Sequence, residues 1–357
     1  MRLFPPFARR SSPGAPVIGR SAHVAQGPTG EVPRSVRVHA IDVARGLALI
    51  AMASYHFSWD LANARLVDWG VASDPLWRGY AMAIAATFLF LSGLSLQLAN
   101  RSGFDLPRFA GRLLRIASAA ALVSVATYLV FPDAWVFFGI LHMMVVGSLI
   151  GQPLVRLPPF LLLLLAAVAG TLPLWAQSAQ FDGLPLAITG LAVSVPTSND
   201  FVPIFPWLAP LLVGLAAGRL LVDRPVAPSL PPRRRLTRLA ALLGRWSLLF
   251  YLVHQPLLFG LAEGLGWLLP VDPVVERGLF VRDCVNECAG VGADAGYCRA
   301  FCGCVAESID GTPIWQSRTI DTSYDALIST AAASCRRASL PDSDDAPGGL
   351  PDSDDDD

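Results

Sequence analysis

The 357-residue chain is 53 % hydrophobic and 15 % charged, with a mean hydropathy of +0.49. That is too apolar for a soluble chain of this length and ordinary for one that crosses a membrane several times. All 27 basic residues are arginine, scattered between apolar runs and not gathered on one soluble face, so nothing marks nucleic acid as a partner.

The first 38 residues are rich in Pro, Gly, Ser and Arg and hold no apolar core ahead of a small-residue cleavage site. They read as a disordered cytoplasmic leader and not as a secretory signal. Apolar runs of about 18 to 20 residues, the length a bilayer demands, then predict seven spans: 45–63, 79–99, 113–131, 136–154, 157–175, 204–222 and 244–264. Nineteen arginines fall on the side of the N-terminus, while Arg65 and Arg78 alone lie in the opposite loops and six more lie in the C-terminal tail. Basic loops stay in the cytoplasm, which puts the N-terminus inside and the tail outside, as an odd number of spans also requires. The arginine-rich linker 223–238 then reads as facing anionic headgroups from the cytoplasm, with a role in holding a nucleotide phosphate as the alternative. The opposite loop, Gln177–Pro203, has no arginine and predicts a short re-entrant or surface structure over a site.

The first span carries polar residues where lipid or packing would favour leucine. At 100° per residue Arg45, Leu49, Met52, His56 and Asp60 share one face, extended by Asp42 and Asn63. Asp60, one turn past His56, is spaced to accept from an imidazole N–H, and ionisable groups inside a membrane usually serve function. Two further histidines lie in the outer halves of their spans: His142 in "FFGILHMM" and His254 in "RWSLLFYLVHQPLLF". Ser247, Tyr251 and His254 share a face, and Pro256 frees the Leu252 carbonyl. The histidines predict a polar cavity that opens outward.

All six cysteines lie in the tail, at 284, 288, 298, 302, 304 and 335. The first four form two Cys-x3-Cys pairs, each on one side of a helix, with the glycine-containing "AGVGADAGY" between them. Cys284–Cys302 and Cys288–Cys298 would staple such a hairpin, although six cysteines allow 15 pairings. An extracytoplasmic place favours disulfides. The tail has no histidine and lacks the Cys-x2-Cys spacing of structural zinc, so no metal is expected. The end, "LPDSDDAPGGLPDSDDDD", has no means of forming a core and predicts a disordered acidic terminus.

These readings predict an all-α polytopic membrane helical bundle of about seven transmembrane helices, N-terminus inside, with a small Cys-rich helical-hairpin tail. The divisions are a leader over 1–38, a transmembrane domain over 39–270, the Cys-rich tail over 277–336 and the acidic end over 337–357.

"RVHAIDVARGLALIAMASYHFSWDL", "FLFLSGLSLQLA", "GRLLRIA", "FFGILHMM" and "RWSLLFYLVHQPLL" together resemble the bacterial branch of the family grouped with the catalytic domain of heparan-alpha-glucosaminide N-acetyltransferase, formerly DUF1624. The resemblance spans approximately residues 35 to 270. It implies a multi-pass protein of the bacterial inner membrane with a periplasmic C-terminus. The activity it implies is transfer of an acetyl group from cytosolic acetyl-CoA to an amine or hydroxyl of a saccharide or envelope component outside. In the lysosomal members the histidine held to be catalytic precedes a Trp-x-Gly ahead of the second span. Here that place reads "SDPLWRGY", the match falls near Asp74, and no histidine is present. The catalytic candidates are therefore His56, His142 and His254, with Asp60 as a partner, and Arg45, Arg112 and Arg115 are the phosphate-binding candidates for acetyl-CoA. A histidine could act as a general base or carry the acetyl group itself, and the sequence leaves both open. It also leaves a non-enzymatic alternative, a transporter or envelope-assembly protein whose His/Asp cluster binds substrate or protons.

Overall fold

The computed structural model describes residues 39–71, 73–222, 235–317 and 324–338. The leader, the linker over 223–234 and the acidic end beyond 338 lie outside the described residues.

Aspartate and proline set where many of the helices begin. Helix α1 covers His39–Asn63. Helix α2 (Pro75–Ala99) starts on Asp74, whose carboxylate accepts from the Leu76 N–H at 2.7 Å, and α3 (Leu106–Val130) starts on Asp105, which accepts from Arg108 N–H at 3.0 Å. A carboxylate at the cap satisfies an amide the helix leaves open, and a proline in the first turn forfeits no bond. Helix α4 (Ile140–Leu154) follows Gly139, and α5 (Pro159–Thr171) is broken from the short α6 (Pro173–Ala176) at Pro173. After the four-residue α7 (Leu184–Ala187), α8 runs over Ile204–Val222, with Phe205 still extended at its start. The amphipathic α9 (Arg235–Arg245) leads through Trp246 into α10 (Ser247–Leu268).

Helices thus stand at all seven predicted spans. Four of them, α2, α3, α8 and α10, are long and apolar enough on their own to cross a membrane. Helix α1 has the length, but its polar stripe dilutes its hydropathy. The apolar α4 and α5 are short, at 15 and 13 residues, because Gly139 and Pro173 cut the predicted runs. Exposed Leu114, Leu122, Val125, Tyr128 and Leu129 cover the outer face of α3. A soluble protein would not tolerate this apolar surface, and a bilayer covers it: the chain is a membrane protein.

Small residues bring the helices together. A Cβ at Gly93 of α2 would lie 2.0 Å from the Leu211 carbonyl oxygen of α8, and one at Gly214 would lie 2.0 Å from that of Phe90. Gly46 of α1 and Gly244 of α9 meet the Ala240 and Asp42 carbonyls in the same reciprocal way, at 1.8 Å each. Where lipid is as apolar as leucine, close backbone approach replaces hydrophobic burial as the source of helix association. Around the α2–α8 contact, Leu89, Leu96, Met143, Leu162, Leu211 and Leu215 form the buried core. Helix α1 packs against α2, α9 and α10, and α3 packs against α4.

The loop over 177–203 is locally structured. It holds α7, a parallel bridge of Phe201 to Phe138, and the Ser198 hydroxyl, which donates to the Trp135 carbonyl at 3.0 Å.

The tail is a disulfide-bonded hairpin of α11 (Pro273–Gly290) and α12 (Ala295–Ser308), followed by α13 (Asp325–Ala338). Cys284 pairs with Cys302 and Cys288 with Cys298, as the spacing predicts, and Cys304–Cys335 ties α13 to α12. Val305, Ala306, Ile309, Ile314 and Trp315 form its small core. Each bridge stabilises by about 2–4 kcal/mol, mainly by restricting the unfolded chain.

Candidate functional site

The polar face of α1 turns inward, as the periodicity predicts: Asp42, Leu49, Met52 and Asp60 are buried, and Arg45 and His56 half-buried. Opposite it, α10 presents "HQP". The rings of His56 and His254 stand 5.4 Å apart, centroid to centroid, at 57°. His254 Nδ1 lies 2.8 Å from the Tyr251 carbonyl and 3.1 Å from that of Phe250, so this nitrogen carries the proton and donates. Its Nε2 is left as an acceptor.

Asp60 does not take an imidazole N–H, contrary to its i, i+4 spacing. Its Oδ1 accepts from Gln255 Nε2 at 3.0 Å. A lateral contact from α10 reaches the carboxylate, whereas His56 points at His254. Asp60 is 0 % exposed, and three atoms of this cluster, Asp60 Oδ2, Gln255 Oε1 and His254 Nε2, are buried without a partner among the described residues. Orphaned buried polar atoms are costly, and their convergence between two helices marks a place prepared for a polar guest. His56 itself makes no hydrogen bond among the described residues, so both its nitrogens are open to a ligand.

Aromatic side chains wall the cluster on the side of α2. Tyr55 lies edge-on to His56 at 5.7 Å, Trp77 stands 6.2 Å from Tyr55, and Trp69 stacks on Trp77 at 6.1 Å and 24°. Tyr80 joins them; its hydroxyl lies 2.8 Å from Ser54 Oγ and 3.1 Å from the Ala51 carbonyl.

The three phosphate-binding candidates gather at the opposite end of the stripe, about 16 Å from His56 at 1.5 Å per residue. Arg45 pairs with Asp42 at 3.3 Å and donates to the Ser95 hydroxyl of α2. Arg112 on α3 lies within electrostatic reach of both Arg45 and Arg115 and lines a recess with Leu96, Phe109, Leu113, Ile116 and Ser148. It makes no hydrogen bond or ion pair with any described residue. Among the described residues Arg115 Nε donates only to the Gly111 carbonyl of its own helix, at 3.1 Å. A half-buried guanidinium without a partner, beside two more cations, calls for an anion.

His142 is not brought to this cluster. Its Nδ1 accepts from the Gly139 N–H at 3.2 Å and its Nε2 lies 3.3 Å from Ser124 Oγ, which makes it a cap for α4. Asp200, from the loop before α8, caps the same helix by accepting from the Ile140 N–H at 2.9 Å. Asp74, near which the sequence resemblance puts the lysosomal histidine, caps α2. Sequence reasoning missed Gln255, Ser95, Trp77 and Asp200. Only Gln255 carried a signal, as an amide beside His254 in an otherwise apolar span. Among the described residues no group of three or more His, Cys, Asp or Glu is arranged to hold a metal ion.

Neither the curated proteins nor the solved structures contain a match to the chain. The family model for the heparan-alpha-glucosaminide N-acetyltransferase catalytic domain matches residues 37–256, from the start of α1 through His254 and Gln255. The match covers more than half of the chain and takes in the histidine pair, Asp60 and the three arginines, and the chain belongs to that family.

Proposed function

We propose that the chain is an integral membrane acetyltransferase that moves an acetyl group from cytosolic acetyl-CoA to an amine or hydroxyl of a saccharide or envelope acceptor on the other face. In this reading the membrane is the bacterial inner membrane, crossed about seven times with the N-terminus in the cytoplasm and the Cys-rich tail in the periplasm. The observation that carries it is the pairing of His56 with His254 between α1 and α10, beside three orphaned polar atoms.

Arg112, with Arg45 and Arg115, holds the phosphates of acetyl-CoA at the cytoplasmic end, where a guanidinium fork suits phosphate oxygens. Acetyl-CoA, when bound, supplies an acetyl thioester, and the polar face of α1 carries both Arg45 at the phosphate end and His56 at the acceptor end. His56 takes the proton of the acceptor amine or hydroxyl as that group attacks the thioester carbonyl. The C–S bond breaks, the acetyl group passes to the acceptor, and the CoA thiolate leaves and takes up the proton held by His56. His254 Nε2 orients the acceptor or the imidazolium, and Asp60, held by Gln255, faces the positive charge that forms. His142 stays a helix cap. A purified chain in lipid nanodiscs should bind CoA, and Arg112→Gln should weaken that binding. A chain that binds no CoA would favour the transporter reading, in which the His/Asp cluster works without a nucleotide.

A further inference from the structure

The Cys-rich tail begins after residue 256, where the family match ends, yet it is built onto the loop that follows α1. Arg65 Nε donates to Glu276 Oε2 at 2.8 Å, and Arg65 Nη2 reaches the same oxygen. The Glu276 side chain is 3 % exposed. Six residues further along α11, Arg282 Nη1 donates to the carbonyls of Asp68 at 3.0 Å and Trp69 at 2.8 Å, while its Nε faces Asp283 at 3.5 Å. Gly278 permits the close approach, since a Cβ there would lie 2.7 Å from Asp68 Oδ2. Two disulfides fix α11 to α12, so the loop is held against a rigid body.

A buried ion pair is weak evidence for stability, because desolvation offsets most of its attraction. It does fix geometry, and the geometry fixed here is that of Trp69. This ring is 44 % exposed and stacks on Trp77, which adjoins Tyr55 and, through it, His56. We infer that the tail is a positioning element for the acceptor: Glu276 and Arg282 hold Trp69 at the outer end of the row of aromatic rings that leads through Trp77 and Tyr55 to His56, where its open face receives the C–H face of a sugar ring. The inference rests on the acetyltransferase reading for the acceptor, but not for the clamp itself.

The test uses the full chain in nanodiscs with glucosamine as the probe acceptor. Trp69→Ala, Glu276→Gln and Arg282→Ala should each raise the KM for glucosamine roughly three- to tenfold, the weight of one aromatic stacking contact, and leave the KM for acetyl-CoA and kcat unchanged. Combining Glu276→Gln with Trp69→Ala should cost no more than Trp69→Ala alone, because the two act through one ring. Hydrogen exchange over residues 64–74 should quicken in Glu276→Gln and Arg282→Ala. An unchanged glucosamine KM, or additive effects, would overturn the positioning role in an active enzyme, and unchanged exchange would overturn the clamp whatever the activity. A wild-type chain that transfers no acetyl group would instead refute the enzymatic reading and with it the acceptor role of Trp69.

Discussion

Gly93→Ala should force α2 away from α8. An ordinary C···O contact is about 3.3 Å, and the new methyl would stand 2.0 Å from the Leu211 carbonyl oxygen, so the backbones must separate locally by about 1.3 Å. The atom it meets is backbone and cannot rotate aside. Overpacking of this kind costs about 1–3 kcal/mol, and the disturbed contact carries Leu211 and Leu215, both fully buried. Unfolding of the detergent-solubilised protein by titration with a denaturing detergent would read the loss. Gly214→Ala meets the Phe90 carbonyl at the same 2.0 Å, and one separation relieves both clashes, so the double variant should lose less than the sum of the single losses. Because Ser95, two residues beyond Gly93, receives Arg45, CoA binding should weaken alongside. A Gly93→Ala protein as stable as wild type, or strictly additive losses, would refute the close-packed contact.

His56→Ala and His254→Ala should each lower acetyl transfer by about 10²- to 10⁴-fold with CoA binding intact. His142→Ala should keep its turnover and lose about 0.5–2 kcal/mol of stability, the worth of a helix cap; steady-state rates and unfolding curves separate the cases. Arg112→Gln should raise the KM for acetyl-CoA about 10- to 100-fold, as loss of a hydrogen bond to a charged group of about 1.5–3 kcal/mol implies, without changing the acceptor KM; the opposite split would contradict the arginine assignment. Burial pushes the Asp200 carboxyl above the usual carboxylate range, against the Ile140 N–H that favours its charged form. The folded chain therefore holds this proton to higher pH than the unfolded one. The stability it contributes is full below the unfolded value and is lost as pH rises through the folded one. Melting curves from acidic to neutral pH should show wild type losing stability relative to Asp200→Asn, and a pH-independent difference would contradict this.

What could be read from the sequence was what repeats along one helix. The stripe from Asp42 to Asp60 follows from helical periodicity, and α1 turns it inward. The pairs Cys284–Cys302 and Cys288–Cys298 follow from i, i+4 spacing in a hairpin. Hydropathy located helices at all seven runs but overstated their lengths where Gly139 and Pro173 interrupt them. Contacts between helices were not legible. Asp60 meets Gln255 and not His56, since nothing in the order of residues tells which α10 side chain faces it. His142 was grouped with the other histidines by depth alone. Its spacing of three from Gly139 was the available sign that it caps its own helix. The docking of α11 on the first loop joins residues more than two hundred apart, beyond the reach of any local pattern.

The most direct test of the account is transfer across a bilayer. Proteoliposomes with the arginine cluster outward would be given labelled acetyl-CoA outside and glucosamine inside. Wild type should form labelled N-acetylglucosamine in the lumen, and the His56→Ala/His254→Ala double variant should bind CoA but form none. Lumenal product undiminished in that double variant would contradict the account.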